Sequence, residues 1–527
     1  MRVIPSELFT SPQSTPREDV LNDGMDVDGE RQALKGHHAT GRSDTELMSR
    51  ISVLERTAGG DCRRLFELGR AYLALGRFGR AEKSFETALE ISPGYTLANY
   101  GLGLVFLQTG EFEKAKREFI KRIESDPEDV YALNRLGRTC LRMRDNDMAE
   151  LCFKKAHGIR PYDRVTLNNL GLSAEAAGRI EESETFFKKS LLSAPEYTEA
   201  RNNLGRIYAR QNRWREAELE FLKILSWDPF NGAAYHNLGA MYHTCMRYSE
   251  ALTCFKNAIH LNPNDTYPIN SAGIICLNSG NLDQALAYFE KALRITPSDP
   301  YTMTNKAVCL IKKGMLDQAL AISERAADLG SRDAMSISGA LLLLNDRCHE
   351  AAERLSSAVR KGDHRPDVLG ALSLSLIETG SLREALETAK TALEADPDNM
   401  YSANNYALAL FHSGRYSESI SILRKLEEKD PGYDYTLSNL AFALFAMGRY
   451  AEAERYYSVL CDRIPGDPEL ISSLGVTMAR QGRLSAAVRL WKEALKIDPT
   501  LREAAKNLEE AGYFRSASAG RPEMMTL

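Results

Sequence analysis

From about Cys62 to Leu501 the apolar positions follow a helical period that is broken at regular turns. Leu65, Leu68 and Tyr72 fall three and four residues apart, and Ala81, Phe85, Ala88 and Leu89 repeat that spacing one turn later. Gly76 stops the first predicted helix, and Pro93 ends the second because proline cannot continue the amide ladder. The pair then recurs every 34 residues: Gly69, Gly103, Gly137, Gly171, Gly205, Gly239 and Gly273 keep one phase. Phe85, Phe119, Phe153, Phe187, Phe221, Phe255 and Phe289 keep another, each preceded at four residues by Ala or Ser and followed at eight by Pro. Glycine and alanine stand where two helix axes must come close, and the aromatic rings fill the space between. One such pair cannot bury its apolar faces alone, so it must stack on its neighbours. The expected fold is all-α: a right-handed α-solenoid of about thirteen tandem helix-turn-helix units, an architecture that presents binding surfaces.

The phase loosens from Ala307 onward. The eighth unit has Ser323 in place of an aromatic ring and Ser331 in place of proline, and the ninth starts two residues early, marked by Gly339, Ala351 and Ala358. Clear phase returns with Ala385, Ala392 and Pro397. Either an irregular joint near 328–334 separates units 1–8 (62–331) from units 9–13 (332–501), or one unbroken superhelix drifts there. Residues 1–42 are polar and acidic, with Glu18, Asp19, Asp23, Asp26, Asp28 and Glu30, and are expected to be disordered. A capping helix is expected over 43–60, opened by Ser43 and Glu46 and ended by Gly59 and Gly60. A solvating helix over 502–512 and a flexible tail over 513–527 complete the chain, with Glu509 standing where a packing glycine would be.

The L-G-x2-Y, A-x3-F and P markers resemble those of the tetratricopeptide repeat family over about 440 of the 527 residues. The resemblance implies that the first helix of each unit, helix A, lines a concave groove. The residues just before the Leu-Gly pair or its equivalent are rich in carboxamides: Asn134, Asn168, Asn169, Asn202, Asn203, His236, Asn237, Asn270, Asn305, Asn404, Asn405 and Asn439. A carboxamide donates and accepts, so a row of them one repeat apart can hold an extended main chain. The array is also similar to the superhelical repeat domain of the O-linked N-acetylglucosamine transferases, where an Asn at this repeat position forms such a ladder. That likeness carries over to Asn169, Asn203, Asn237, Asn305, Asn405 and Asn439. Capping or bridging between neighbouring helices is the other role open to these residues. Tyr131, Tyr267, Tyr301, Tyr401 and Tyr435 start helix A and either flank the groove or pack on the preceding helix. The family's clamp for acidic chaperone tails is not expected, because its basic position reads Glu199, Ala233 or Tyr267.

Composition narrows the rest. A net charge of -5 offers no broad basic field for nucleic acid. The nine cysteines lack a Cys-x-x-Cys pair and several occupy apolar repeat positions, as expected in a reducing compartment. No signal-peptide core and no apolar run of membrane-spanning length is present, so the expected location is cytoplasmic. His236 and His243 lie seven apart, too far along one helix for a shared ion, and no phosphate loop, nucleophile elbow or His-Glu-x-x-His occurs. No catalytic residue, metal or cofactor is expected. The leading reading is a non-enzymatic adaptor that takes an extended segment of one or more partner proteins in its groove. A scaffold or homodimer using convex faces and the 328–334 region is a second reading. A regulatory subunit of a separate enzyme is a third, with Ser11-Pro12 and Thr15-Pro16 in the acidic tail as switch elements.

Overall fold

A computed structural model describes residues 42–516, with side chains from Leu47 to Gly512. The acidic segment and the extreme C-terminus lie outside the described residues, as do the side chains of Ser43 and Glu46. The described chain forms twenty-eight helices and no strand. It divides by compactness into a unit ending at Ile275 and a unit beginning at Cys276.

The first helix, α1 (Arg42–Thr57), is followed by Gly60 with φ 94° and buries Leu47 and Ile51. Thirteen helix pairs come next, from Cys62–Ala74 with Phe78–Ile91 to Pro468–Arg480 with Leu484–Ile497. The last helix, Arg502–Ser516, runs four residues beyond its expected end and buries Ala504, Asn507 and Ala511. Within each regular pair, helix B ends two residues before its proline, as at Ile159 and Pro161 or Ser193 and Pro195.

The helix A glycine and the helix B aromatic are one packing device. A Cβ built on Gly137 would approach Cε1 of Phe153 to 2.4 Å, and one on Gly103 would meet Phe119 at 2.6 Å. Gly475 stands in the same relation to Trp491, at 2.7 Å, and Gly339 to Leu355, at 2.6 Å. Where the glycine position carries Ala307, Ser373 or Ala407, its partner shrinks to Ser323, Ala389 or Leu423. Ala441 with Tyr457 departs from this pairing. Ser373 Oγ and Ser419 Oγ each bond a helix carbonyl, of Ala385 at 2.8 Å and Ala407 at 2.6 Å, so the thinner pairs remain satisfied.

The residue that turns helix A into helix B is left-handed throughout. Glycine supplies it at Gly110 (φ 81°) and Gly178 (φ 74°), but Arg144, Asn212, Met246 and Asp346 hold φ near 60° without that freedom. A left-handed non-glycine residue costs about 1–2 kcal/mol, and glycine returns part of this as unfolded-state entropy. Met246→Gly is therefore expected to raise stability by about 0.5–1 kcal/mol, read as a higher urea midpoint at unchanged slope. Asn212→Gly should change it less, since asparagine tolerates this region. Equal effects at both sites would contradict the argument.

The frame shift in the eighth unit is a shortened helix B. That helix spans Leu316–Asp328, thirteen residues, and Gly330 (φ 93°) and the N-cap Ser331 turn the chain into Arg332–Leu344. Ser331 Oγ accepts from the Ala334 amide at 3.2 Å and lies 3.1 Å from Thr304 Oγ1. Met303, Ala326, Ala327, Ala334, Met335 and Ala358 pack together across the turn. One unit later, the buried Asp363 carboxylate accepts two guanidinium bonds from Arg365 at 2.8 Å and one from Ser336 Oγ at 2.6 Å. The shift thus lies inside the compact part of the chain that begins at Cys276, and buried side chains pack across it.

Candidate protein-binding groove

Counting helix A from its first residue, positions 2, 5, 6, 9, 12 and 13 fall within an arc of about 120°. The asparagines occupy positions 5 and 6 of that face and bond across repeats. Asn169 Nδ2 donates to Asn134 Oδ1 at 2.9 Å, Asn203 to Asn168 at 3.0 Å, Asn237 to Asn202 at 3.2 Å, and Asn439 to Asn404 at 3.0 Å. Asn134 and Asn404 each turn their own Nδ2 to a threonine hydroxyl of the next repeat, Thr166 or Thr436, at 2.8 Å. The series is a ladder between successive helices A, and much of its bonding capacity is already used within the protein. This is the bridging role between neighbouring helices, with position 5 of one repeat paired to position 6 of the next. The signal for it was the doublet Asn-Asn in successive units, with Thr166 and Thr436 at equivalent places.

Burial divides the candidate residues. Asn134, Asn168, Asn169, Asn270, Asn305, Asn404, Asn405 and Asn439 are buried, whereas Asn202, Asn203, His236 and Asn237 are half-buried. Among the tyrosines, Tyr131 and Tyr267 are exposed, while Tyr401 and Tyr435 are buried and stack with ring centroids 5.8 Å apart. Gly370 explains the latter: a Cβ there would meet the Tyr401 ring at 2.7 Å and Asn405 Nδ2 at 2.8 Å. Position 5 has no side chain in that unit, so the Tyr401 ring takes its space and Asn405 Nδ2 has no ladder acceptor. Tyr435 OH supplies the other Asn405 contact, donating to Oδ1 at 2.7 Å. Along Arg332–Leu344 and Pro366–Glu378 the face is closed, with Ala334–Leu343 and Val368–Ile377 buried without a break.

The open stretch is charged. Arg206 and Arg210 both donate to Glu175 Oε1, at 3.0 and 2.9 Å, and Arg206 also reaches Asn203 Oδ1 at 3.1 Å. The Arg206 guanidinium therefore lies on the ladder. Off that face of the same helix, buried Arg201 pairs with Glu220 and lies 4.7 Å from the Trp227 ring centre, a pair that no repeat marker signals.

His236 takes the position 5 place beside Phe255, its Nδ1 buried without a partner. Burial pushes its pKa below the ordinary histidine value, with Asp265 opposing the shift; burial lowers His243 as well. The unfolded chain then binds more protons, so stability is full above the unfolded value of about 6.5 and falls as pH drops through it toward the folded pKa. The urea midpoint is expected to decline between about pH 7 and pH 5, and His236→Asn should flatten that decline. An unchanged slope in the variant would remove His236 as its source.

Burial raises the Cys140 and Cys152 thiols to about 11 and about 12, which leaves them protonated and unreactive at neutral pH. Among the described residues no group of three or more His, Cys, Asp or Glu could hold a metal, and no helix is long and apolar enough to cross a membrane.

The geometry defines a helical-repeat array, and comparison with known families gives it a place. Tetratricopeptide repeat profiles match residues 66–129, 130–163, 174–242, 232–265 and 276–334, and a profile described as "Psidin, N-terminal TPR repeats region" matches 373–507. The chain belongs to the tetratricopeptide repeat family. No curated protein matches it. Among solved structures it is similar to the APC/C hetero-tetramer Cut9–Hcn1, at 13% identity over 88% of this chain and 98% of that one, with a TM-score of 0.44. It is also similar to a tetratricopeptide repeat protein from Parabacteroides merdae, at 18% identity over 47% of this chain and 98% of that one, TM-score 0.38. Pseudomonas aeruginosa PilF follows at 22% identity over 39% of this chain and 94% of that one, TM-score 0.35.

Proposed function

We propose that this chain is a non-enzymatic interaction protein that takes an extended segment of a partner protein along helix A of units 3 to 6, residues 130–244. The repeats themselves point to a protein-interaction or scaffold role. One observation carries the narrower reading: Asn202, Asn203, His236 and Asn237 are half-buried on a face that is packed shut at 334–343 and 368–377. Half-buried carboxamides with guanidinium neighbours can bond a passing main chain while the deeper ladder holds the helices in register.

The test is affinity capture from native lysate with three baits. One is wild type. The second carries Tyr131→Ala, Arg138→Ala, Asn203→Ala and Asn237→Ala, with wild-type helicity confirmed by circular dichroism. The third carries Leu192→Ala and Phe230→Ala, apolar residues exposed near the inter-repeat loops. Partners lost only from the second bait are expected. Partners lost only from the third would move recognition to the loop edge and favour the scaffold reading, which the exposed Tyr162, Leu192 and Phe230 motivate.

A further inference from the structure

The open groove face is basic. Units 3 to 5 present Arg135, Arg138, Arg142, Arg206 and Arg210 on it, against Glu175 and Glu199, and Glu175 is engaged by two of those arginines. The equivalent positions after residue 276 have the opposite balance, with Lys312 and Arg480 against Asp333, Asp367, Glu378 and Glu469. A positive strip on a chain of net charge -5 selects an acidic occupant.

This chain carries such an occupant. Residues 18–30 contain six carboxylates and no base, interspersed with Val20, Leu21, Met25 and Val27. The chain joins them to the first repeat through helix α1. Helix α1 is fastened to the first repeat by Arg50 with Glu67 at 2.9 Å and by Tyr72 with Glu55. The linker 31–41 spans up to roughly 36–40 Å when extended. Contacting helices lie about 8–10 Å apart, so units 3 to 5 begin about 20 Å along. An extended strand rises about 3.3 Å per residue, roughly three residues per repeat, so the acidic segment covers about four units. Tethering also supplies an effective concentration of up to about millimolar, enough to populate a weak contact.

We propose that residues 18–30 occupy the basic groove of units 3 to 5 as an intramolecular acidic ligand that a client protein must displace. This rests on the groove reading above and names the chemistry of what the groove takes. The probe is a fluorescein-labelled peptide of residues 16–32, followed by anisotropy against the full chain. A tail-neutral variant carries Glu18→Gln, Asp19→Asn, Asp23→Asn, Asp26→Asn, Asp28→Asn and Glu30→Gln. It is expected to bind the probe at least about tenfold tighter than wild type, because its own competitor is gone. Adding Arg138→Gln, Arg142→Gln and Arg210→Gln should reverse that gain, and raising salt from about 50 to about 300 mM should weaken binding. If the triple substitution loses helicity by circular dichroism, Arg210→Gln alone replaces it. Equal binding by wild type and the tail-neutral chain, no binding by either, or binding that survives the arginine substitutions would each overturn the proposal. Should the probe fail while the Tyr131, Arg138, Asn203 and Asn237 bait still loses its captured partners, the groove reading stands and only the tail assignment falls.

Discussion

Phe153→Ala is expected to cost the third unit about 3–5 kcal/mol. The ring is fully buried and lies over Gly137, so its loss leaves a cavity between two helices that meet at that point. Gly137→Ala should cost about 1–3 kcal/mol by the opposite route, overpacking, since the new methyl would stand 2.4 Å from the ring. Ala307 with Ser323, and Ala407 with Leu423, show how the chain itself resolves that clash. Gly137→Ala combined with Phe153→Leu should accordingly be more stable than the sum of the two single changes predicts. Native-state hydrogen exchange is the suitable measurement, because a repeat array opens locally and a global midpoint averages over units. A neutral Gly137→Ala, or strict additivity in the double variant, would show that the two positions do not share one space.

Glu220→Ala is expected to cost a comparable 3–5 kcal/mol, for an electrostatic reason. Arg201 and Glu220 are both buried, and Arg201 also donates to the Pro195 carbonyl while lying against Trp227. Removing the carboxylate strands a guanidinium that cannot lose its proton. Replacing both groups, as Arg201→Met with Glu220→Leu, should return stability to within about 1–2 kcal/mol of wild type, because neither charge then needs solvation. Amide exchange across 198–227 and the urea midpoint read both variants. A double variant as unstable as Glu220→Ala alone would show that the pair contributes beyond cancelling its own burial. Arg179 with Glu150 and Arg213 with Glu184, partners 29 residues apart in each case, link successive helices B at 2.8 and 2.9 Å. With the guanidinium groups partly open to solvent, each is worth about 1 kcal/mol.

The repeat was legible because its determinants are local. Helix stops such as Gly76 and Pro93 act through backbone geometry within a few residues, and the Gly137 and Phe153 spacing is set inside one hairpin. Hence the thirteen pairs, their turns and the early start of the ninth unit followed from residue type and spacing alone. The fate of the groove residues did not, because it depends on how closely successive helices A approach. Asn203 and Asn405 occupy the same repeat position, yet one is half-buried and the other fully buried. The difference arises one repeat earlier, where Asn168 gives Asn203 an acceptor and Gly370 instead admits the ring of Tyr401. Sequence periodicity determined which residues share a face; only the packing of one repeat on the next decided which of them water, or a partner chain, can reach.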